Sequence, residues 1–415
     1  MLLQFSVENY KSIKDKLVLN LEPSRHKEHS ENVLDNNGYE SINIAALYGA
    51  NASGKSNIYK AMTVALNIIR QSNGRQVNDI INVMPFKFDE KSLRKPVKFE
   101  FKFIADNHKK YVYGFSVTHF EVVEEYLYYY NSAKPSRIFD ITKGNPQFSR
   151  DFEKVLEPIL KRNTANKLFL ATATSWNAEC TMIPYKWLSE RIDSFTNDRN
   201  IQNISIGKYH NNETLYVDFT KQLLQQADIN ISDIDIEFKE TELPSKRPGL
   251  IIDGDEYLLE KNIECTITTS HAIKNSNKEK NYSLNLREES LGTQQLFYLA
   301  PMLRDALEKG KVLIIDEIDK SLHPFIVKYL VNMFRDKKVN KKGAQLIFTT
   351  HETTLLSLEI FRRDQIFFVE KDNESGATEL YSLDDFSVRN TDNIEKGYLL
   401  GRYGAIPFMK TEEII

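Results

Sequence analysis

The stretch Gly49-Ala50-Asn51-Ala52-Ser53-Gly54-Lys55-Ser56 decides how this chain is read. It is a complete G-x-x-x-x-G-K-[ST] string, the pattern of a phosphate-cradling loop. Its flanks agree with it. Ile42 to Tyr48 is an apolar run that predicts a buried strand, and Ile58, Ala61, Met62, Ala65, Leu66 and Ile69 recur at helical spacing. Glycines let backbone N–H groups turn toward an anion, and the positive end of the following helix faces the same point. Gly49, Asn51, Ala52, Ser53, Gly54, Lys55, Ser56 and Asn57 are therefore the candidate nucleotide-binding residues. Lys55 is expected at the β- and γ-phosphates, and the Ser56 hydroxyl on Mg²⁺.

Further along, Val312-Leu313-Ile314-Ile315 is followed by Asp316-Glu317. A buried strand that ends in two acids places them where ligands of open α/β sheets bind. Asp316 is the second candidate Mg²⁺ residue. Glu317 is placed to orient or deprotonate an attacking water. The next apolar strand, Leu346-Ile347-Phe348, ends in Thr349-Thr350-His351, and His351 can donate a hydrogen bond to a γ-phosphate. Glu289 to Gln295 opens a helix. Ser290 and the Gly292 backbone there offer donors to an anion, although a capping serine explains the pattern equally well in isolation.

Between these motifs, residues 2–8 and 17–21 read as strands, 23–40 as a loop, and 85–130 as an antiparallel meander ending at Tyr130. Three helices are expected over 151–162, 185–195 and 217–227. Strands follow at 234–238 and 265–268, with a polar loop over His271–Lys280. The continuous apolar runs after Leu286 predict a parallel sheet covered on both faces, and Pro301 is expected to kink the helix over 296–307.

The chain has 415 residues, a formal net charge of -3 and two cysteines, Cys180 and Cys265, far apart. Nothing in this composition drives the whole molecule toward nucleic acid or membrane. The cysteines suit a reducing compartment and exclude a disulfide framework, so a cytoplasmic protein without a membrane span is expected. Lys337-Lys338-Val339-Asn340-Lys341-Lys342 reads first as a solvated turn, and Tyr126 with Tyr128 to Tyr130 as sheet packing. Nucleic-acid contact is the alternative for both.

This order of motifs resembles the ATP-binding-cassette ATPases of the SMC, RecF and OLD-like group. The opening Phe5-Ser6-Val7-Glu8-Asn9-Tyr10-Lys11-Ser12 is similar to that group as well, and the resemblance implies that Lys11 lies near the nucleotide. Ile318 to Pro324 and Gly401 to Pro407 resemble, more narrowly, the stand-alone bacterial ATPases of the RloA and AbiL kind. The implied fold is an α/β ABC-type head with a mixed sheet flanked by helices, an antiparallel β-subdomain and a helical insertion. The implied domains are 1–130, an insertion over 131–284, and 285–415. The resemblance also implies a homodimer, or a higher oligomer, with two composite ATP sites. Lys55, Ser56, Asp316 and Glu317 of one protomer would face Ser290 and Gly292 of the other. The implied setting is anti-phage defence with a separately encoded effector, or alternatively a RecF-like clamp on DNA. The signature Ser-Leu-Gly-Thr differs from the Ser-Gly-Gly-Gln of transporters, and His323 stands where many relatives carry Asp.

Overall fold

The computed structural model describes residues 1–195, 198–227, 229–241, 262–275 and 278–407. Parts of the expected insertion (242–261) and of the expected last domain (408–415) lie outside the described residues. The chain divides into two units, Met1–Thr196 with Asp305–Ile415, and Asn197–Arg304.

The first unit opens with β1 (Leu2–Glu8) and β2 (Leu17–Asn20), followed by the hairpin β3 (Val33–Asn36) and β4 (Tyr39–Ile42). This hairpin replaces the loop expected over 23–40. Its turn is Asn37-Gly38, with φ of 58° and 83°. Two positive φ angles match the twist of flanking strands, and Asn-Gly is the pair that adopts them. β5 (Ile44–Tyr48) is buried at every residue and leads through the glycine loop into α1 (Lys55–Gln71). Pro85–Phe88, expected as a strand, is irregular, and the short α2 (Glu90–Leu93) follows it.

The meander is β6 (Val97–Ile104), β7 (Lys110–Val117), β8 (Val122–Tyr130), β9 (Pro135–Thr142) and β10 (Asn145–Phe148). It runs two strands past the expected end at Tyr130. Lys143-Gly144, with φ of 49° and 77°, makes the last turn. With β1 and β2 these strands form a seven-stranded antiparallel sheet in the order β10-β9-β8-β7-β6-β1-β2. Helices α3 (Glu153–Leu160), α4 (Phe169–Ser175) and α5 (Glu179–Glu190) pack on it, and Phe103 stacks on Trp187 at 4.3 Å. The helix expected over 185–195 stops at Glu190. β11 (Ile192–Asp193) then pairs parallel with a strand of the other sheet.

The second unit holds α6 (Asp198–Asn211), α7 (Glu213–Gln226) and the antiparallel sheet β12 (Asp233–Thr241), β13 (Asn262–Asn275) and β14 (Lys278–Asn285). The loop expected over His271–Lys280 is therefore strand up to Asn275 and again from Lys278. Its residues are polar at nearly every position, so no hydrophobic alternation marked it. α8 (Leu291–Lys309) follows, with Pro301 inside it, and its last residues belong to the first unit.

Back in the first unit come β15 (Val312–Ile315), α9 (Pro324–Arg335), β16 (Gln345–Thr349), β17 (Ile366–Lys371), β18 (Thr378–Ser382) and α10 (Ile394–Leu399). The core sheet has the order β11-β15-β16-β5-β17-β18, parallel except for β18. β15, β16 and β5 are buried throughout, as a sheet covered on both faces requires. Gln345 ties the two large sheets together. Its Oε1 accepts from Leu2 N at 2.7 Å, and its Nε2 donates to Leu2 O at 3.0 Å and Ser41 Oγ at 2.9 Å. This order sets the C-terminal ends of β15, β16, β5 and β17 side by side, and the candidate residues follow those ends.

Candidate nucleotide site

The glycine loop is shaped by two residues that tolerate no substitute. A Cβ on Gly49 would strike the Val369 carbonyl of β17. Gly54 has φ of 113°, and a Cβ there would strike the Thr378 hydroxyl. Ala52 is also left-handed, at 63°. A scaffold of side chains fixes this path. Asn57 Nδ2 donates to Ser12 Oγ at 2.7 Å, Ser12 Oγ lies 2.7 Å from Thr378 Oγ1, and Thr378 Oγ1 donates to Ser53 O at 3.0 Å. These bonds join the β1–β2 loop, the start of α1 and β18 to the phosphate loop.

Lys55 is buried, and its ammonium donates to the carbonyls of Gly49 at 2.7 Å and Ala50 at 3.0 Å. Burial pushes its pKa down to about 8, against an opposing pull from Asp316, Glu317 and Asp319. Among the described residues the buried hydroxyls of Ser53 and Tyr48 have no hydrogen-bond partner. Buried polar atoms in a folded protein are nearly always paired; Ser53 lines the phosphate cleft, whereas Tyr48 does not line it and packs against Tyr398.

At the end of β15, Asp316 Oδ1 accepts from Thr349 Oγ1 at 2.6 Å, and Thr349 Oγ1 accepts from Glu317 N at 2.7 Å. Glu317 is held at φ of 51°, a left-handed geometry that costs a non-glycine residue about 1–2 kcal/mol. His351 N donates to Asp319 Oδ2 at 3.2 Å. Desolvation, and then the charge of Lys55, hold the His351 imidazole below the usual histidine range, so the ring is neutral near pH 7. Ala50 to Asn57, Glu317, His351 and Lys371 line one open cleft of about 340 Å³. Lys371, the last residue of β17, gave no signal in the sequence, since a lysine after an apolar strand is commonplace.

Other expected residues fall elsewhere. Gly49 and Asp316 back the cleft rather than line it, through Lys55 and Thr349 respectively. Lys11 does not line the cleft. It is left-handed at φ of 48°, its N–H donates to Met84 O, and burial and Lys60 lower its pKa. Its neighbour Ser12 makes the contact with the loop instead. In the second unit, Ser290 is exposed at the start of α8, and its Oγ accepts from Thr293 N at 3.1 Å, as a capping serine does. Next to it, Glu289 Oε1 accepts from Thr269 Oγ1 at 2.5 Å and lies 2.8 Å from His271 Nε2, which moors the signature loop to β13. Tyr128 bonds Asp140, and Tyr126 bonds Glu100. The Lys337–Lys342 turn is exposed around a buried Asn340, which donates to Phe334 O and Ala344 O.

Ser56 and Asp316 offer a hydroxyl and a carboxylate, hard oxygens that suit Mg²⁺ bound together with phosphate and water. Among the described residues no cluster of three or more His, Cys, Asp or Glu could hold a metal without a ligand's help. No described helix is long and apolar enough to cross a membrane.

A parallel sheet whose phosphate loop, acidic strand and histidine strand meet at one cleft defines an ABC-type P-loop ATPase fold. The chain belongs to the family described as "AAA domain, putative AbiEii toxin, Type IV TA system", which matches residues 44–357. No curated protein matches the chain. Among solved structures it is similar to an SMC head bound to the C-winged helix domain of ScpA, with 16% identity and a TM-score of 0.42 over 92% of this chain and 97% of that one. It is also similar to the SMC head domain from Thermotoga maritima, with 14% identity and a TM-score of 0.40 over 92% and 98%. For the recombination mediator RecF with ATP the values are 13% and 0.37 over 92% and 97%.

Proposed function

We propose that this ATPase binds and hydrolyses ATP, and that ATP-driven pairing of two copies gates a separately encoded effector in bacterial anti-phage defence. The observation that carries the reading is the convergence of Ala50–Asn57, Glu317 and His351 on one cleft. In this reading Lys55 exchanges two backbone carbonyls for phosphate oxygens. Glu317, aimed by Thr349, accepts a proton from the attacking water. Neutral His351 donates a ring N–H to the γ-phosphate and registers whether it is there. Ser56 and Asp316 hold Mg²⁺, which neutralises charge developing on the phosphates. Ser290 and Gly292 of a second copy complete the site. The exposure of Ser290 and Leu291, the latter at 70%, with Gly292 half-buried beside them, supports a role in contact with another chain. The family description, which names a toxin–antitoxin system, supports a defence role.

Glu317→Gln tests the hydrolytic part. Mg²⁺-dependent phosphate release should fall about 100-fold or more, while ATP binding persists. Light scattering should then detect an ATP-dependent dimer that the variant keeps and the wild type loses on turnover. Equal turnover in wild type and variant removes Glu317 from the chemistry. A dimer that forms without ATP removes the gating step. ATP-dependent binding of duplex DNA by the isolated protein would favour the clamp over the gate.

A further inference from the structure

The parallel sheet fixes the direction in which a nucleotide can lie. Glu317 and His351 follow β15 and β16, on one side of β5. Lys371 ends β17, on the other side of β5, and lines the same cleft. A triphosphate whose γ-phosphate faces Glu317 and His351 therefore extends its ribose and base toward Lys371.

The surroundings change there. Phe88 is 71% exposed, and Lys371 Nζ sits 5.8 Å from its ring centroid. The ring is nonetheless held in place. Phe86 packs edge-on against it at 5.7 Å, and Gly376, in the β17–β18 turn, approaches so closely that a Cβ would lie 2.9 Å from Phe88 Cδ2. Exposed apolar side chains are common on this surface, Phe120 and Phe325 among them. What distinguishes Phe88 is its place, a ring held by Phe86 and Gly376 against Lys371, a residue that lines the phosphate cleft. Among the described residues Lys371 has no carboxylate within ion-pair distance, and its ammonium meets only this ring. A π-face and a free cation are what a nucleoside monophosphate unit engages. The base stacks on the first, and the α-phosphate and ribose oxygens meet the second.

We propose that Phe88 and Lys371 form the ribose–base end of the cleft, with Phe88 stacked on the purine and Lys371 at the ribose and α-phosphate. This rests on the nucleotide reading above. Titration calorimetry on the full chain with Mg²⁺ and ATP, ADP or inorganic tripolyphosphate separates the two. If wild type binds neither ATP nor tripolyphosphate, the nucleotide reading falls and this inference falls with it. If wild type binds ATP, Phe88→Ala should weaken ATP and ADP about tenfold and leave tripolyphosphate unchanged, with Phe88→Tyr restoring the affinity. Lys371→Met should weaken ATP and ADP by the same factor, about fivefold. Melting curves equal to wild type exclude misfolding as the cause. The inference is overturned, with the nucleotide reading intact, by any of three results. The first is wild-type ATP affinity in both variants. The second is equal losses for ATP and tripolyphosphate in Phe88→Ala. The third is a loss for ATP but not ADP in Lys371→Met, which would put the ammonium at the γ-phosphate.

Discussion

Lys55 and Glu125 are both buried and both ionisable, and the protein treats them in opposite ways. Glu125 lies in β8 under the N-terminus of α4. It accepts from Phe169 N at 2.5 Å, Leu170 N at 2.8 Å and Tyr113 Oη at 2.9 Å. Every donor around it is satisfied, so the carboxylate caps a helix and does nothing else. Among the described residues Lys55 meets only two borrowed carbonyls, and the hydroxyl of Ser53 in the same loop has no partner. A saturated buried charge is structural. One left with provisional partners at the rim of a cleft is held for a ligand.

Removing the two groups should therefore separate stability from binding. Glu125→Ala strands two buried N–H groups and a buried hydroxyl, and should cost roughly 4 kcal/mol in urea unfolding while the folded fraction binds ATP normally. If stability were unchanged, the cap would be ornamental and the contrast would fail. pH sharpens the same side. Burial pushes the Glu125 carboxyl up to about 7 from its ordinary 4.5, against the three hydrogen bonds that favour its charged form. Its folded pKa is raised, so between pH 4.5 and 7 the folded state binds more protons than the unfolded. This contribution is complete below 4.5 and is lost as pH rises through 7, by roughly 3 kcal/mol at most. Glu125→Gln should remove that slope from unfolding curves measured at pH 5 to 8.

Lys55→Met tests the other side. ATP should bind about 100-fold more weakly, because a charge-assisted bond to phosphate is lost. Thermal stability should hold or rise, because a desolvated ammonium is replaced by an apolar chain of similar length. Calorimetry and melting on one preparation read both effects. A variant that binds ATP normally would break the assignment of the loop.

The cleft was legible in the sequence where its chemistry is local. Gly49 to Ser56, Asp316-Glu317 and His351 each end a strand, and a strand's end is set by its own residues. The parts that aim them were not legible. Ser12 and Thr378 meet across 366 residues, and Thr349 orients Asp316 and Glu317 from the neighbouring strand. Lys371 reaches the cleft only because β17 pairs with β5. Pairings of this kind belong to the sheet order, which no window of sequence contains. Glu125 was invisible for a related reason: it shares a strand face with buried Leu127, and the N–H groups that accommodate a carboxyl there come from α4, more than forty residues away. The hairpin at Val33–Ile42 was a different failure, since Asn37-Gly38 carried the signal locally and polar flanks obscured it. β13 was legible only at Cys265–Thr268, because its second half and the start of β14 carry no hydrophobic period.

The smallest test concerns strain, and it asks whether the cleft and the cap differ in backbone as well as in hydrogen bonding. Glu317 sits at φ of 51°, where a Cβ crowds the chain, and its N–H is fixed by Thr349 Oγ1 at 2.7 Å. Glycine reaches this geometry without that crowding, and alanine does not. Glu317→Gly should therefore be more stable than Glu317→Ala by about 1 kcal/mol, the reverse of their order in a helix. Both variants should lose phosphate release equally, because both lack the carboxylate. At position 125, in a regular strand, the order should invert, with Glu125→Ala above Glu125→Gly. If alanine were also the better residue at 317, the left-handed turn would carry no strain. The aim of Glu317 would then rest on Thr349 alone, and Thr349→Val should be as damaging to turnover as loss of the carboxylate itself.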